Sequence, residues 1–94
     1  MIGKNAEKQK EILLWIKKSL GISQKIIKMV EEDVYCVDIA TQVNAAIGLL
    51  KSANMKLLEN HLDCCGPRFL NAANNGKKAA FIKELVRTWN ITTR

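Results

Sequence analysis

Four side chains in this sequence could bind a soft metal or react as thiols: Cys36, His61, Cys64 and Cys65, the only histidine and all three cysteines. His61 and Cys65 stand four residues apart in "NHLDCC", so on a helix they share one face. Thiolates are soft ligands that favour Cu(I), whereas Zn(II) usually takes four ligands in a tetrahedron. Two thiols and one imidazole therefore fit Cu(I) first, with a thiolate-rich Zn(II) site as the minor alternative. Cys64 lies about 100° round the helix from Cys65 and could join the same ion only if the helix end distorts. Each residue also has a plainer reading: a cysteine on an apolar seam as core, a histidine near a helix end as a cap. A third possibility keeps the thiols without metal, as a disulfide or polysulfide switch between chains. There is no nucleophile–base pair, carboxylate pair or phosphate-cradling loop, which argues against an enzyme and against a small-molecule substrate.

The elements that must position these groups read as helices. Apolar residues at Ile12, Leu13, Ile16, Leu20, Ile26, Ile27 and Val30 recur every third or fourth position. The acidic run 31–33 interrupts them, and Asp33 is expected to cap the next helix. Cys36, Ala40, Val43, Ile47, Leu50, Asn54, Leu57, His61 and Cys64 then follow in alternating steps of four and three, a heptad seam. Gly66-Pro67 and "NAANNG" (71–76) are break signals. Beyond them Ala79, Ile82, Leu85, Val86 and Trp89 form the inward face of a third helix, with Phe69 and Phe81 as packing residues. The expectation is an all-α chain, one domain over 1–94, with helices at about 5–31, 34–65 and 77–90.

One straight helix cannot bring Cys36 to His61. They are 25 residues apart, roughly 40 Å at the helical rise. If they cooperate, a second copy of the long helix must lie antiparallel beside the first, with the two-fold axis near positions 48–51. Each of two identical sites would then take Cys36 from one subunit and His61 with Cys65 from the other. Gly48, Ala45 and Ala46 would permit close approach at the crossing.

The net charge is +6, and seven lysines fall in the first 28 residues against only Glu7 and Glu11. Such a segment suits a polyanion, nucleic acid first, or else a solvated face. No apolar run has membrane-spanning length and the first ten residues are polar, so a cytoplasmic protein is expected, with its cysteines reduced.

The stretch "MVEEDVYCVDIATQVNAA" (29–46) and the run "LLENHLDCC" ending at Cys65 resemble the CsoR/RcnR family of bacterial metal-sensing repressors. The likeness covers positions 13–65 well and the third helix loosely. Within that family the copper-sensing group carries Cys, then His after 24 residues, then Cys after three more, and Cys36, His61 and Cys65 match that spacing. Persulfide-sensing relatives lack the histidine. The resemblance implies an all-helical homodimer or dimer of dimers that binds operator DNA when metal-free. Cu(I) bridging two subunits would release the DNA, with Tyr35 and Glu84 in a network around the ligands. Lys17, Lys18, Lys25 and Lys28 would be the DNA contact, where typical members are arginine-rich. A metal-binding helical partner that does not bind DNA is the remaining alternative.

Overall fold

A computed structural model describes residues 6–70 and 75–89. The described residues form three helices: α1 (Ala6–Glu31), α2 (Cys36–Leu70) and α3 (Asn75–Trp89). The "NAANNG" break falls mostly outside the described residues, as do Lys4 and the side chain of Phe69.

α1 and α2 form an antiparallel hairpin. Lys8 pairs with Asp63, Glu11 with Lys56, and the Ser19 hydroxyl meets the Ala46 carbonyl at 3.5 Å, each contact nested inside the one before. On α1 the face towards α2 carries Ile12, Trp15, Ser19, Ile22, Ile26 and Met29, in steps of three and four. On α2 it carries Ile39, Gln42, Ala46, Leu49, Ala53 and Asn60. Small residues sit at the closest approach, where Ser19, Ala46 and Ala53 are buried. Ala46 therefore serves the hairpin rather than a crossing between chains. Gly48 points into open space, with nothing near enough for a Cβ to touch.

The apolar list read along α1 thus contains two stripes. Ile12, Ile22 and Ile26 turn inward, while Leu13, Ile16, Leu20, Ile27 and Val30 are exposed, Leu20 at 58% and Ile27 at 60%. α3 touches only α2 among the described residues. It does so through Phe81, Leu85 and Trp89, an i, i+4, i+8 line, while Ala79, Ile82 and Val86, expected inward, are exposed.

The joint between α1 and α2 is a helix stop. The amide of Val34 donates to the Met29 carbonyl and that of Asp33 to the Val30 carbonyl, the paired bonds of a Schellman closure. Asp33 takes the left-handed conformation (φ 55°) that this closure needs. It therefore ends α1 and does not cap α2, because an aspartate tolerates both roles and only the backbone angle distinguishes them. The first carbonyl accepting an α2 bond belongs to Tyr35. At the other end, α2 continues through Gly66-Pro67 to Leu70, five residues past its expected end. A proline removes one helical N–H bond and crowds the carbonyl four residues back; here that carbonyl is Asp63, so the disturbance falls beside His61 and Cys65.

Replacing Asp33 with glycine relieves the left-handed strain and should raise stability by roughly 0.5–1 kcal/mol. Asp33→Val, β-branched and worse in that conformation, should lower it. Urea unfolding at fixed protein concentration reads both, and a destabilised glycine variant would refute the closure.

A soft-ligand flank on a one-layer hairpin

Two helices packed side by side, α1 against α2, make a single layer. Such a layer covers one face of each helix and leaves the rest in water. On α1 the exposed stripe Leu13, Ile16, Leu20 and Ile27 lies roughly a quarter turn forward of the line touching α2. On α2 the seam Cys36, Ala40, Val43, Ile47, Leu50 and Asn54 lies the same quarter turn forward. Both helices are right-handed and they run antiparallel, so the two forward flanks emerge on the same side of the hairpin. They make one apolar surface, with Ile47 at 43% and Leu50 at 49% exposure. Taking a fully exposed aliphatic side chain of this kind out of water contributes about 1.5–3 kcal/mol. The heptad seam read from the sequence is this uncovered flank, not the hairpin core.

Cys36, His61 and Cys65 all stand on that flank. Cys36 is the first residue of α2 and is exposed, and Tyr35 beside it is exposed too. His61 and Cys65, at the far end, are half-buried, and Cys64 is exposed. Within one chain these groups do not meet: among the described residues no three His, Cys, Asp or Glu side chains come close enough to hold a metal ion. The donor set of two thiols and an imidazole suits a soft monovalent ion, but one protomer offers it in two pieces.

The environment of Cys65 is built by both α2 and α3. Burial pushes its thiol above the ordinary value, a hydrogen bond and charge repulsion from Cys64 add to this, and the Glu84 carboxylate adds again, while Arg68 opposes. Cys65 is thus held protonated through the neutral range in the metal-free chain. The shift also places Glu84, on α3, within electrostatic reach of Cys65. Nearby, Lys8 bridges Asp63 and Glu59, and Lys56 bridges Glu59 (3.2 Å) and Glu11 (3.4 Å). Asp63 and Glu59 are exposed but ion-paired. Lys8 is raised chiefly by its hydrogen bond to Asp63.

His61 has partners that its sequence position did not suggest. Its ring stacks on Phe81 at 5.3 Å and on Trp89 at 5.7 Å, each at 27°. The Trp89 indole N–H donates to the backbone carbonyl of Asn54 at 2.9 Å. The eight-residue spacing of the two aromatics was the available signal, and it does not say which α2 residue they meet.

The lysines of α1 occupy the remaining surface. Lys17 and Lys28 lie opposite α2, while Lys18 and Lys25 lie on the flank away from the apolar stripe. All four are exposed, and Lys28 is 3.9 Å from Glu32. No helix among the described residues is long and apolar enough to cross a membrane.

Residues 8–89 of the sequence are matched by the family described as "metal-sensitive transcriptional repressor". The chain belongs to that family, whose members are regulators and not enzymes. Among its relatives, the copper-sensing transcriptional repressor CsoR of Mycobacterium ulcerans is 38% identical over 86 residues, covering 92% of this chain and 71% of the relative. The Mycobacterium tuberculosis protein of the same name is 37% identical over 85 residues, covering 90% and 69%. That of Bacillus subtilis is 31% identical over 91 residues, covering 97% and 87%. No solved structure matches the chain.

Exposure and the raised thiol together order the two neighbouring cysteines. Iodoacetamide should alkylate Cys64 several-fold faster than Cys65 in the metal-free protein, since the thiolate is the reactive form. Peptide mass spectrometry resolves the two, and equal rates would contradict the burial of Cys65.

Proposed function

We propose that this chain is a cytoplasmic Cu(I)-responsive repressor that works as a homodimer or homotetramer. The observation that carries the reading is the shared flank: Cys36 at one end of α2, His61 and Cys65 at the other, and uncovered aliphatic side chains between them. A second copy laid antiparallel on this flank buries Leu13, Ile16, Leu20, Val43, Ile47 and Leu50. About a two-fold axis near residues 48–51, it sets Cys36 of one chain against His61 and Cys65 of the other. Hydrophobic burial thus provides the association, and association completes the ligand set.

Cys36 of one chain and His61 with Cys65 of the other would hold Cu(I), which would link the two chains through soft ligands once the thiols have lost their protons to solvent. Tyr35 adjoins Cys36, and Glu84 lies near Cys65, so both stand at the edge of the completed site. Lys17, Lys18, Lys25 and Lys28 supply charge for the phosphates of operator DNA. Lysine offers point charges without the planar fork of arginine, so affinity here leans on electrostatics and on the spacing of copies. Release follows if the metal-bound assembly holds these lysines in an arrangement with lower DNA affinity. The named activity of the relatives, copper-sensing repression, supports the reading.

The test is a gel shift on the protein's own promoter, under anaerobic conditions, with and without Cu(I). DNA should be retained without metal and lost with it; no binding at low salt would remove the repressor. Alanine at Cys36, His61 or Cys65 should lower Cu(I) affinity by at least about a hundredfold, more than loss of an outer contact does. His61→Ala should leave thiol cross-linking intact, whereas unchanged copper affinity in that variant would favour a thiol switch. Alanine at the four lysines should flatten the salt dependence of DNA binding, by about 0.9 in log–log slope per lost phosphate contact. Sedimentation must show at least a dimer.

A further inference from the structure

The ring of His61 stacks on two aromatic side chains of α3, Phe81 and Trp89. Phe81 and Trp89 are eight residues apart, about 12 Å along the helix axis. Their stacking distances to His61, 5.3 and 5.7 Å, together nearly span that interval. The imidazole therefore bridges the two rings, at the same tilt of 27° to each. Phe81 is buried, and Trp89 is half-buried and anchored by its N–H to the Asn54 carbonyl at 2.9 Å. Asn54 lies two turns before His61 on α2, so the anchor and the stack fix α3 along α2 at two levels.

From this we propose that Phe81 and Trp89 are positioning residues for the metal ligand: an aromatic clamp that fixes the plane of the His61 imidazole and leaves only its edge for coordination. The proposal rests on His61 being a ligand, as inferred above. Two consequences follow from the chemistry of the clamp. A ring already held in one plane has little rotamer freedom left to lose when it ligates, so the clamp raises affinity by pre-organisation. An imidazole that donates its lone pair to a cation gains positive charge, and flanking π faces attract such charge. Trp89 gives the larger part, because indole is the strongest of the aromatic faces for a cation. The anchor ties this effect to the seating of α3: lifting α3 off α2 removes both faces at once.

Because the chain has a single histidine, its ring protons can be assigned without ambiguity by NMR. In the full-length metal-free protein they should be shielded by the two ring currents and move downfield in Phe81→Leu and in Trp89→Leu. Cu(I) affinity, measured by anaerobic competition with a chromophoric chelator, should fall several-fold to about tenfold in Trp89→Leu. Trp89→Phe, which keeps a face but loses the N–H, should recover part of the loss. Unshielded ring protons in the wild-type protein, or wild-type copper affinity in a folded Trp89→Leu variant, would overturn the clamp. A variant that loses stability but keeps affinity shows mere packing and overturns it as well. His61→Ala separates the two readings. If it leaves Cu(I) affinity unchanged, the ligand assignment fails even though the shielding persists. If it abolishes affinity while Trp89→Leu does not weaken it, only the clamp fails.

Discussion

Everything in this molecule follows from a layer one helix thick. Two antiparallel helices can bury one stripe each against the other, and here that stripe uses small residues, Ser19, Ala46 and Ala53, to bring the backbones close. The larger aliphatic side chains are left on the forward flank of both helices. A stable domain normally closes its apolar faces with a second layer, and this hairpin has none of its own apart from the short α3 at one end. Its soft side chains are divided in the same way, with Cys36 at the start of α2 and His61 and Cys65 towards its end. The uncovered surface and these soft side chains occupy the same flank, and in the proposed dimer one neighbour would cover the first and complete the second.

α3 differs from the hairpin helices in kind. It reaches α2 through a few side chains and does not touch α1 among the described residues. Yet it covers the region that carries His61 and Cys65 and brings Glu84 into electrostatic reach of Cys65. Its Glu84 adds to the burial that raises the thiol, and its aromatics stack on the imidazole. A small element with few apolar contacts responds readily to changes in the groups it covers.

Much of this is legible in the sequence. The heptad steps from Cys36 to His61 mark a long helix and its seam, and the ligand spacing is visible with them. What periodicity cannot supply is the identity of the surface each stripe meets. On α1 two stripes overlap in one list of apolar positions, and only the pairing with α2 shows that Ile12 and Ile26 turn inward while Leu13 and Leu20 do not. Asp33 suits a helix start and a helix stop equally by residue type, and the distinction lies in φ. Gly66-Pro67 suggests a terminus, yet α2 runs three residues past the proline. The meeting of Phe81 and Trp89 with His61 depends on the sliding register of α3 along α2, which no local pattern encodes.

The clasped joint at residues 32–34 has a mechanical meaning. Cys36 follows it by two residues, and Lys28 precedes it by four. Two backbone bonds and one left-handed residue lock this corner, so it bends little when loaded. In the proposed repressor, a pull on the Cys36 sulfur would pass to the tail of α1 as leverage. In the proposed repressor, a metal ligand at the head of α2 and a DNA-facing lysine at the tail of α1 would thus be neighbours across this elbow.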